Sequence, residues 1–191
     1  LIKKVMLKFR HNGLAKGSLK KMKEVLPTFN MVNNFKGYAP SFNFGTYRMI
    51  CSNGMWGTVG EVHHFNIKSN EQIHSGISEV NEIAAKQTNE LYKFKGVDLE
   101  EAEIVEFAQE SMKLRFDSTV RHAIDYRQIL ESRRNEDLGN SLWSVFNRIQ
   151  ANTSKRGLIK TDSGVLVNQL DPIADMNYNT KLIDLAGNYY N

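Results

Sequence analysis

The chain has little of what marks secreted and membrane proteins. Cys51 is the one cysteine among its 191 residues, so an internal disulfide framework is excluded and a reducing compartment is favoured. Its apolar runs are a handful of residues long, far below the ~20 that a membrane helix needs. Residues 1–5 show neither the apolar stretch nor the cleavage site of a signal peptide. We therefore expect a cytoplasmic protein with no membrane partner.

Motifs that bind nucleotides or perform catalysis are also missing. The sequence has no GxxxxGK[ST] phosphate loop, no HExxH, no CxxC pair and no GxSxG elbow. We predict no cofactor, no metal and no enzymatic reaction. Adjacent residues of a strand face opposite sides, so only one of His63 and His64 could join His74 and Cys51 around an ion. A metal-dependent nuclease that uses Glu61, His63 and His64 is the enzymatic alternative.

Proline is scarce, with three residues, while 41% of the chain is apolar, which is enough for a folded core. Apolar and polar residues alternate between Phe35 and Cys51, a pattern typical of strands. The period becomes helical after a capping-box pattern over Ser69–Gln72. Strands before helices predict an α+β fold, an N-terminal antiparallel sheet followed by a mostly helical C-terminal half. We expect one domain over 1–191, strand-rich in 1–68 and helical in 69–191, with a small hairpin near 157–167.

Acidic residues are absent from residues 1–23, which hold eight of the 25 lysines and arginines. The rest of the chain has 17 basic and 21 acidic residues, a net charge of −4. A basic end on a slightly acidic body predicts contact with a polyanion. The alternative is a basic strand and helix that face water. We assign nucleic-acid binding here to Lys3, Lys4, Lys8, Arg10, Lys20 and Lys21.

The stretch from Arg133 to Gly157 mixes residue types that a plain surface helix does not need. Asn135 is a favourable N-cap, and the acidic pair Glu136 and Asp137 would stabilise a first helical turn. Helical spacing predicts a buried apolar face formed by Leu138, Leu142, Val145 and Ile149. Two aromatic residues, Trp143 and Phe146, are expected to widen this face.

Several basic and amide residues of this stretch have no role in capping or in the apolar face. Arginines bind phosphate in a bidentate manner, and amides contact sugars or base edges. The alternative is that the arginines form ion pairs with Glu131, Glu136 and Asp137. We predict nucleic-acid contacts for Arg133, Arg134, Asn147, Arg148, Lys155 and Arg156.

The same stretch contains a characteristic series of residues, Arg133-Arg134-Asn135-Glu136-Asp137, Gly139-Asn140, Leu142-Trp143, Phe146-Asn147 and Gln150. This series resembles the signature of a phage- and plasmid-borne family called domain of unknown function 932. Weaker family features resemble Arg48 to Gly54, Lys160-Thr161 and Asn179 to Leu182. The resemblance covers about residues 36–191, with Asn135 where proline is common. It implies a mobile-element origin, hence the cytoplasm of a bacterial host or phage-infected cell, and it supplies no settled activity.

Two functions of different classes agree with these features. The first is binding and annealing of single-stranded DNA during recombination, without nucleotide hydrolysis, by a homo-oligomer with a basic groove. The order of strands before helices and the absence of a nucleotide motif are similar in outline to phage annealing proteins, which is an analogy at the level of the fold. The second is a protein-interaction factor, a host-defence inhibitor or scaffold, that uses acidic residues 98–110 and does not bind DNA.

Overall fold

The computed structural model divides the chain into two compact units, Leu1–Glu90 and Leu91–Asn191, which we name the N-terminal unit and the C-terminal unit. The predicted change from strands to helices near residue 68 lies outside the described residues, and a single domain over 1–191 stays a prediction. For the strands of the N-terminal unit, the backbone alone is described. The structure describes residues 5–10, 25–34, 38–48, 54–56, 71, 74, 75, 78, 91–154 and 158–190.

Four backbone segments of the N-terminal unit have strand geometry. Each pairs antiparallel with its neighbour in sequence. Phe9 lies opposite Phe29, and Phe29 lies opposite Phe44, so aromatic residues, which are enriched in strands, occupy matching positions on three segments. These segments are β1 (Val5–Arg10), β2 (Val25–Asn34), β3 (Tyr38–Arg48) and β4 (Gly54–Trp56).

The C-terminal unit is mostly helical. Within it, β structure among the described residues is confined to isolated bridges, Asp98 with Ser141 and Lys160 with Leu166. No helix in the described part of the chain combines the length and apolarity needed to cross a membrane. The 3-10 turns are Phe94–Gly96 and Asn135–Asp137. The helices are α1 (Glu101–Arg115), α2 (Ser118–His122), α3 (Arg127–Leu130), α4 (Leu142–Ser154) and α5 (Pro172–Gly187).

The predicted fold class, α+β with an N-terminal antiparallel sheet, is wrong. Such a fold needs a sheet that packs a common core with helices. Every buried side chain that the structure describes lies between residues 91 and 186, in helices and loops. The strands β1–β4 are described by their backbone alone, and no core of sheet and helices follows from them. Strand propensity is a local property of residues 35–51, whereas the class of a fold depends on which elements bury their faces together.

Helix α4 is the centre of the helical core. Of its 13 residues, all except Arg148 are buried, and the helix packs against α1, α3 and α5. The rings of Trp143 and Phe146 stack with centroids 6.5 Å apart, which confirms their predicted packing role. Burial of an aliphatic side chain stabilises a fold by ~1.5–3 kcal/mol. Three residues of the predicted apolar face are completely buried, Leu142, Val145 and Ile149.

Helix α4 begins at Leu142, later than the sequence predicts. The Ser141 hydroxyl accepts a hydrogen bond from the backbone amide of Ser144 at 3.2 Å, which makes Ser141 the N-cap. Asn135–Asp137 forms a separate 3-10 turn, and Leu138 is 62% exposed. The prediction of Asn135 as the N-cap and of Leu138 as a core residue is therefore wrong.

Long-range backbone hydrogen bonds explain the late start of α4. The amide of Leu99 donates to the carbonyl of Asn140 at 3.0 Å, and the amide of Leu142 donates to that of Val97 at 2.7 Å. Together with the bridge between Asp98 and Ser141, these bonds hold residues 140–142 beside residues 97–99. Helical periodicity in the sequence carries no information about such a partner.

The predicted hairpin near 157–167 is present as a turn with one bridge. The amide of Thr161 donates to the carbonyl of Val165, and the amide of Val167 donates to that of Ile159, both at 3.0 Å. Gly164 adopts a φ of 80°, in the left-handed region that glycine reaches without steric cost. The chain thus reverses its direction at Gly164, while residue 157 lies outside the described residues.

Candidate nucleic-acid interface

Six of the twelve predicted nucleic-acid-binding residues fall outside the described residues, namely Lys3, Lys4, Lys20, Lys21, Lys155 and Arg156. Lys8 and Arg10 belong to β1, of which only the backbone is described. The remaining four have described side chains and lie before or within α4. They are Arg133, Arg134, Asn147 and Arg148.

The guanidinium of Arg133 is held by two partners. Its Nε donates to Oδ1 of Asn152 at 2.9 Å, and its Nη2 donates to a carboxylate oxygen of Glu131 at 2.6 Å. Asn152 is buried in α4, and its amide nitrogen donates to the carbonyls of Ile129 and Glu131 at 3.0 and 2.9 Å. Arg133 is therefore fixed against α4 on one side and paired with a surface carboxylate on the other.

Arg134 pairs with a buried carboxylate. Its Nε lies 2.9 Å from Oδ2 of Asp137, and Asp137 is 1% exposed. Nη1 of Arg134 is buried and has no hydrogen-bond partner among the described residues. A buried donor without a partner costs roughly 1–3 kcal/mol, and the ion pair with the Asp137 carboxylate helps to offset this cost.

Arg148 is the half-buried residue of α4, and it also faces Asp137. Burial lowers the pKa of its guanidinium, and the Asp137 carboxylate partly opposes this effect. Nε of Arg148 is buried without a hydrogen-bond partner in the described part of the chain. Asp137 therefore forms an ion pair with Arg134 and also interacts electrostatically with Arg148. One carboxylate neutralises only one of these two guanidinium groups.

We define Arg133, Arg134 and Arg148 as the arginine cluster. Arg148 and Asn152, the anchor of Arg133, are four residues apart on α4 and hence lie on one face, about 6 Å apart along the axis. The ion pairs with Glu131 and Asp137, which the sequence left open as an alternative, are present. Three guanidinium groups against two carboxylates leave an excess of one positive charge. Planar guanidinium groups match the oxygens of a phosphate.

Asn147 is a packing residue in this structure. It is 2% exposed, and its amide nitrogen donates to the carbonyl of Trp143 within α4 at 2.6 Å. An amide that is buried in its own helix does not present its polar atoms to a base or a sugar. This burial does not favour a direct contact of Asn147 with nucleic acid, and that contact stays a prediction.

Asn152 is absent from the residues predicted from the sequence, whereas Glu131 was predicted as a possible ion-pair partner of the arginines. Glu131 has a sequence signal, because it lies two residues before Arg133 and carries the opposite charge. Asn152 has none, because 19 residues separate it from the arginine that it anchors. Only the packing of α3 and the following residues against α4 brings these groups together.

Metal chemistry has no support in the described part of the chain. No group of three or more histidine, cysteine, aspartate or glutamate side chains is placed there to hold an ion. His74 is exposed, and three other candidates, Cys51, His63 and His64, lie outside the described residues. Glu61, the carboxylate of the nuclease alternative, is outside them as well.

The C-terminal unit is thus a helical domain in which arginines surround a buried carboxylate, that of Asp137. The family model of the domain of unknown function (DUF932) matches residues 37–171, which include the arginine cluster and α1 to α4. The chain belongs to this family, and the resemblance in the sequence is confirmed. No solved structure matches the chain at a significant level.

Proposed function

We propose that this protein binds and anneals single-stranded DNA without nucleotide hydrolysis. It would act in the DNA metabolism of a phage or another mobile element, in the cytoplasm of the host cell and as a homo-oligomer. It would need no cofactor and catalyse no bond cleavage. Annealing requires only that a strand is held extended along a positive surface while its bases stay accessible to a complement.

The observation that carries the proposal is the arginine cluster. It places three guanidinium groups against two carboxylates, an excess of one positive charge, and the Arg133 side chain is 39% exposed. Phosphate contacts of this kind are independent of sequence and provide most of the affinity of nonspecific nucleic-acid binding. The basic residues 1–23 add charge of the same sign.

The first test is the salt dependence of binding. Affinity for a fluorescein-labelled oligodeoxythymidine is measured by fluorescence anisotropy between about 50 and 200 mM salt. We expect Arg148→Met to weaken binding at low salt and to reduce the slope of log K against log salt by roughly 0.7, the contribution of one phosphate contact on a single strand. Methionine retains an unbranched apolar stem, so the packing of α4 should survive.

The matched control is Arg127→Met. Arg127 is an exposed arginine outside the cluster, paired with Asp125 at 2.8 Å, and its replacement removes the same charge. An equal change of slope in the two variants would contradict a specific role for Arg148. Absence of any binding at about 50 mM salt would refute the proposed function itself. Annealing of complementary oligonucleotides in the absence of nucleotide is measured in parallel.

One structural feature favours the alternative of a protein-interaction factor. Helix α1 carries exposed acidic side chains, Glu101 and Glu106, and its N-terminus is fixed by the capping box of Glu100 with Glu103. Acidic residues at the start of a helix also stabilise its dipole, so this face has a structural explanation too. A host protein that is captured by the wild type and lost with Glu101→Gln/Glu106→Gln, together with no DNA affinity, would favour this alternative.

A further inference from the structure

We propose that the Glu131 carboxylate occupies a phosphate position on the arginine cluster, and that a bound strand displaces it from Arg133. The inference rests on the proposed function, because it assigns one phosphate of the strand to a defined residue. A carboxylate and a phosphate offer similar oxygen acceptors to the planar guanidinium fork. Glu131 is thus an internal competitor that sets the affinity for DNA.

Arg133 keeps its place without Glu131. Its Nε donates to Asn152, at 2.9 Å, and Asn152 is 1% exposed. Two main-chain carbonyls, those of Ile129 and Glu131, fix the amide nitrogen of Asn152 in turn. Displacement of the Glu131 side chain therefore leaves the guanidinium oriented as before, with Nη2 released for an incoming phosphate oxygen.

The pair of Arg133 and Glu131 is exposed enough to exchange. The side chain of Glu131 is 57% exposed and that of Arg133 is 39% exposed. Ion pairs at the surface contribute roughly a fivefold change in an equilibrium constant at most, which a polyanion that binds several cations can overcome. Asp137 differs, since it is 1% exposed, and its removal would leave the half-buried Arg148 without a counter-charge.

The chain contains a closely matched pair outside the cluster. Asp125 and Arg127 are also two residues apart and form an ion pair at 2.8 Å, with side chains 38% and 77% exposed. Asp125→Asn therefore removes the same charge from the same kind of pair. It controls for the general gain in affinity that accompanies any loss of negative charge.

The experiment measures the dissociation constant of the full chain for oligodeoxythymidine at low salt. We expect Glu131→Gln and Glu131→Ala to bind about two- to fivefold more tightly than the wild type, the range that one exposed ion pair allows. Asp125→Asn should show a clearly smaller gain. In the Arg133→Gln background the further change Glu131→Gln should give no more than the small gain of Asp125→Asn, because the arginine that it releases is missing. Thermal unfolding of each variant verifies that its fold is retained.

Three results would overturn the inference. The first is an equal gain from Glu131→Gln and Asp125→Asn. The second is a gain from Glu131→Gln that is as large in the Arg133→Gln background as in the wild type. Either result leaves the proposed function intact if the wild type binds DNA with the expected salt dependence. The third is the absence of binding by both the wild type and Glu131→Gln at about 50 mM salt, which removes the proposed function together with the inference.

Discussion

Two asparagines of α4 show how position decides what one residue type does. Asn147 is 2% exposed and Asn152 is 1% exposed. The amide of Asn147 donates within its own helix, to Trp143. Asn152 instead donates to the carbonyls of Ile129 and Glu131, at the end of α3 and just after it. Asn152 therefore links α4 to the end of α3, and it also holds Arg133 of the arginine cluster in place.

At the residue scale we predict that Asn152→Ala is strongly destabilising. The substitution removes the partner of the buried carbonyl of Ile129 and of two part-buried groups, the carbonyl of Glu131 and Nε of Arg133. A buried polar group left unsatisfied costs roughly 1–3 kcal/mol. We expect the free energy of unfolding, measured by urea denaturation, to fall by about 2–4 kcal/mol. The exposed Asn140 is the control, since Asn140→Ala should stay within about 0.5 kcal/mol of the wild type. Equal effects of the two substitutions would contradict the anchoring role.

Helix α4 and the turn at Gly164 are stabilised in different ways. In α4, twelve of the 13 residues are buried, so the helix receives its stability from packing on several sides and not from one apolar stripe. The turn depends on backbone geometry instead, because the φ of Gly164 is 80° and a side chain there would be strained. Steric crowding does not require glycine there, since a Cβ at Gly164 meets no atom of the described residues within 4 Å.

At the element scale Gly164→Ala should destabilise the C-terminal unit by about 1 kcal/mol, because alanine pays the strain of positive φ. Gly187→Ala is the control at the end of α5. No positive φ constrains Gly187 and no described atom lies within 4 Å of its Cβ position. Alanine should be neutral or stabilising there by a few tenths of a kcal/mol, because it reduces the entropy of the unfolded chain. Thermal unfolding of both variants measures the difference, and equal losses would contradict the backbone explanation.

At the scale of the whole molecule, positive charge lies in both units of the chain. The basic residues 1–23 belong to the N-terminal unit. The arginine cluster and every buried side chain that the structure describes belong to the C-terminal unit. The two sources of positive charge can therefore be separated by dividing the chain between Glu90 and Leu91.

We predict that a fragment of residues 91–191 folds by itself, because its helices bury a core of their own around α4. It should show a cooperative thermal transition, followed by circular dichroism. It should also bind oligodeoxythymidine with a smaller salt slope than the whole chain, since it lacks residues 1–23 and the phosphate contacts predicted for them. A fragment without a cooperative transition would contradict the independent core. A folded fragment with an unchanged slope would exclude a role for the basic residues.

Part of the candidate site could be predicted from the sequence. The stretch around Arg133 to Gln150 identifies the family, and local charge order places Arg133 and Arg134 close to Glu131 and Asp137. The partner of Arg133 in α4 could not be predicted, since Asn152 is 19 residues away. Asn147 was expected to contact nucleic acid because amide side chains are polar, yet burial within α4 directs its donor to a backbone carbonyl.

The sequence by itself determined the family and most of the buried face of α4, because helical spacing repeats within a few residues. Leu142, Val145 and Ile149 are buried as that spacing predicts. Only the tertiary structure decided where α4 begins and which fold class the described core has. It also decided which carboxylates form ion pairs with the arginines. Each of these depends on hydrogen bonds or burial between residues far apart in sequence, such as the bond from Leu99 to Asn140. Local propensity does not contain that information, because the same residues adopt different structures with different partners.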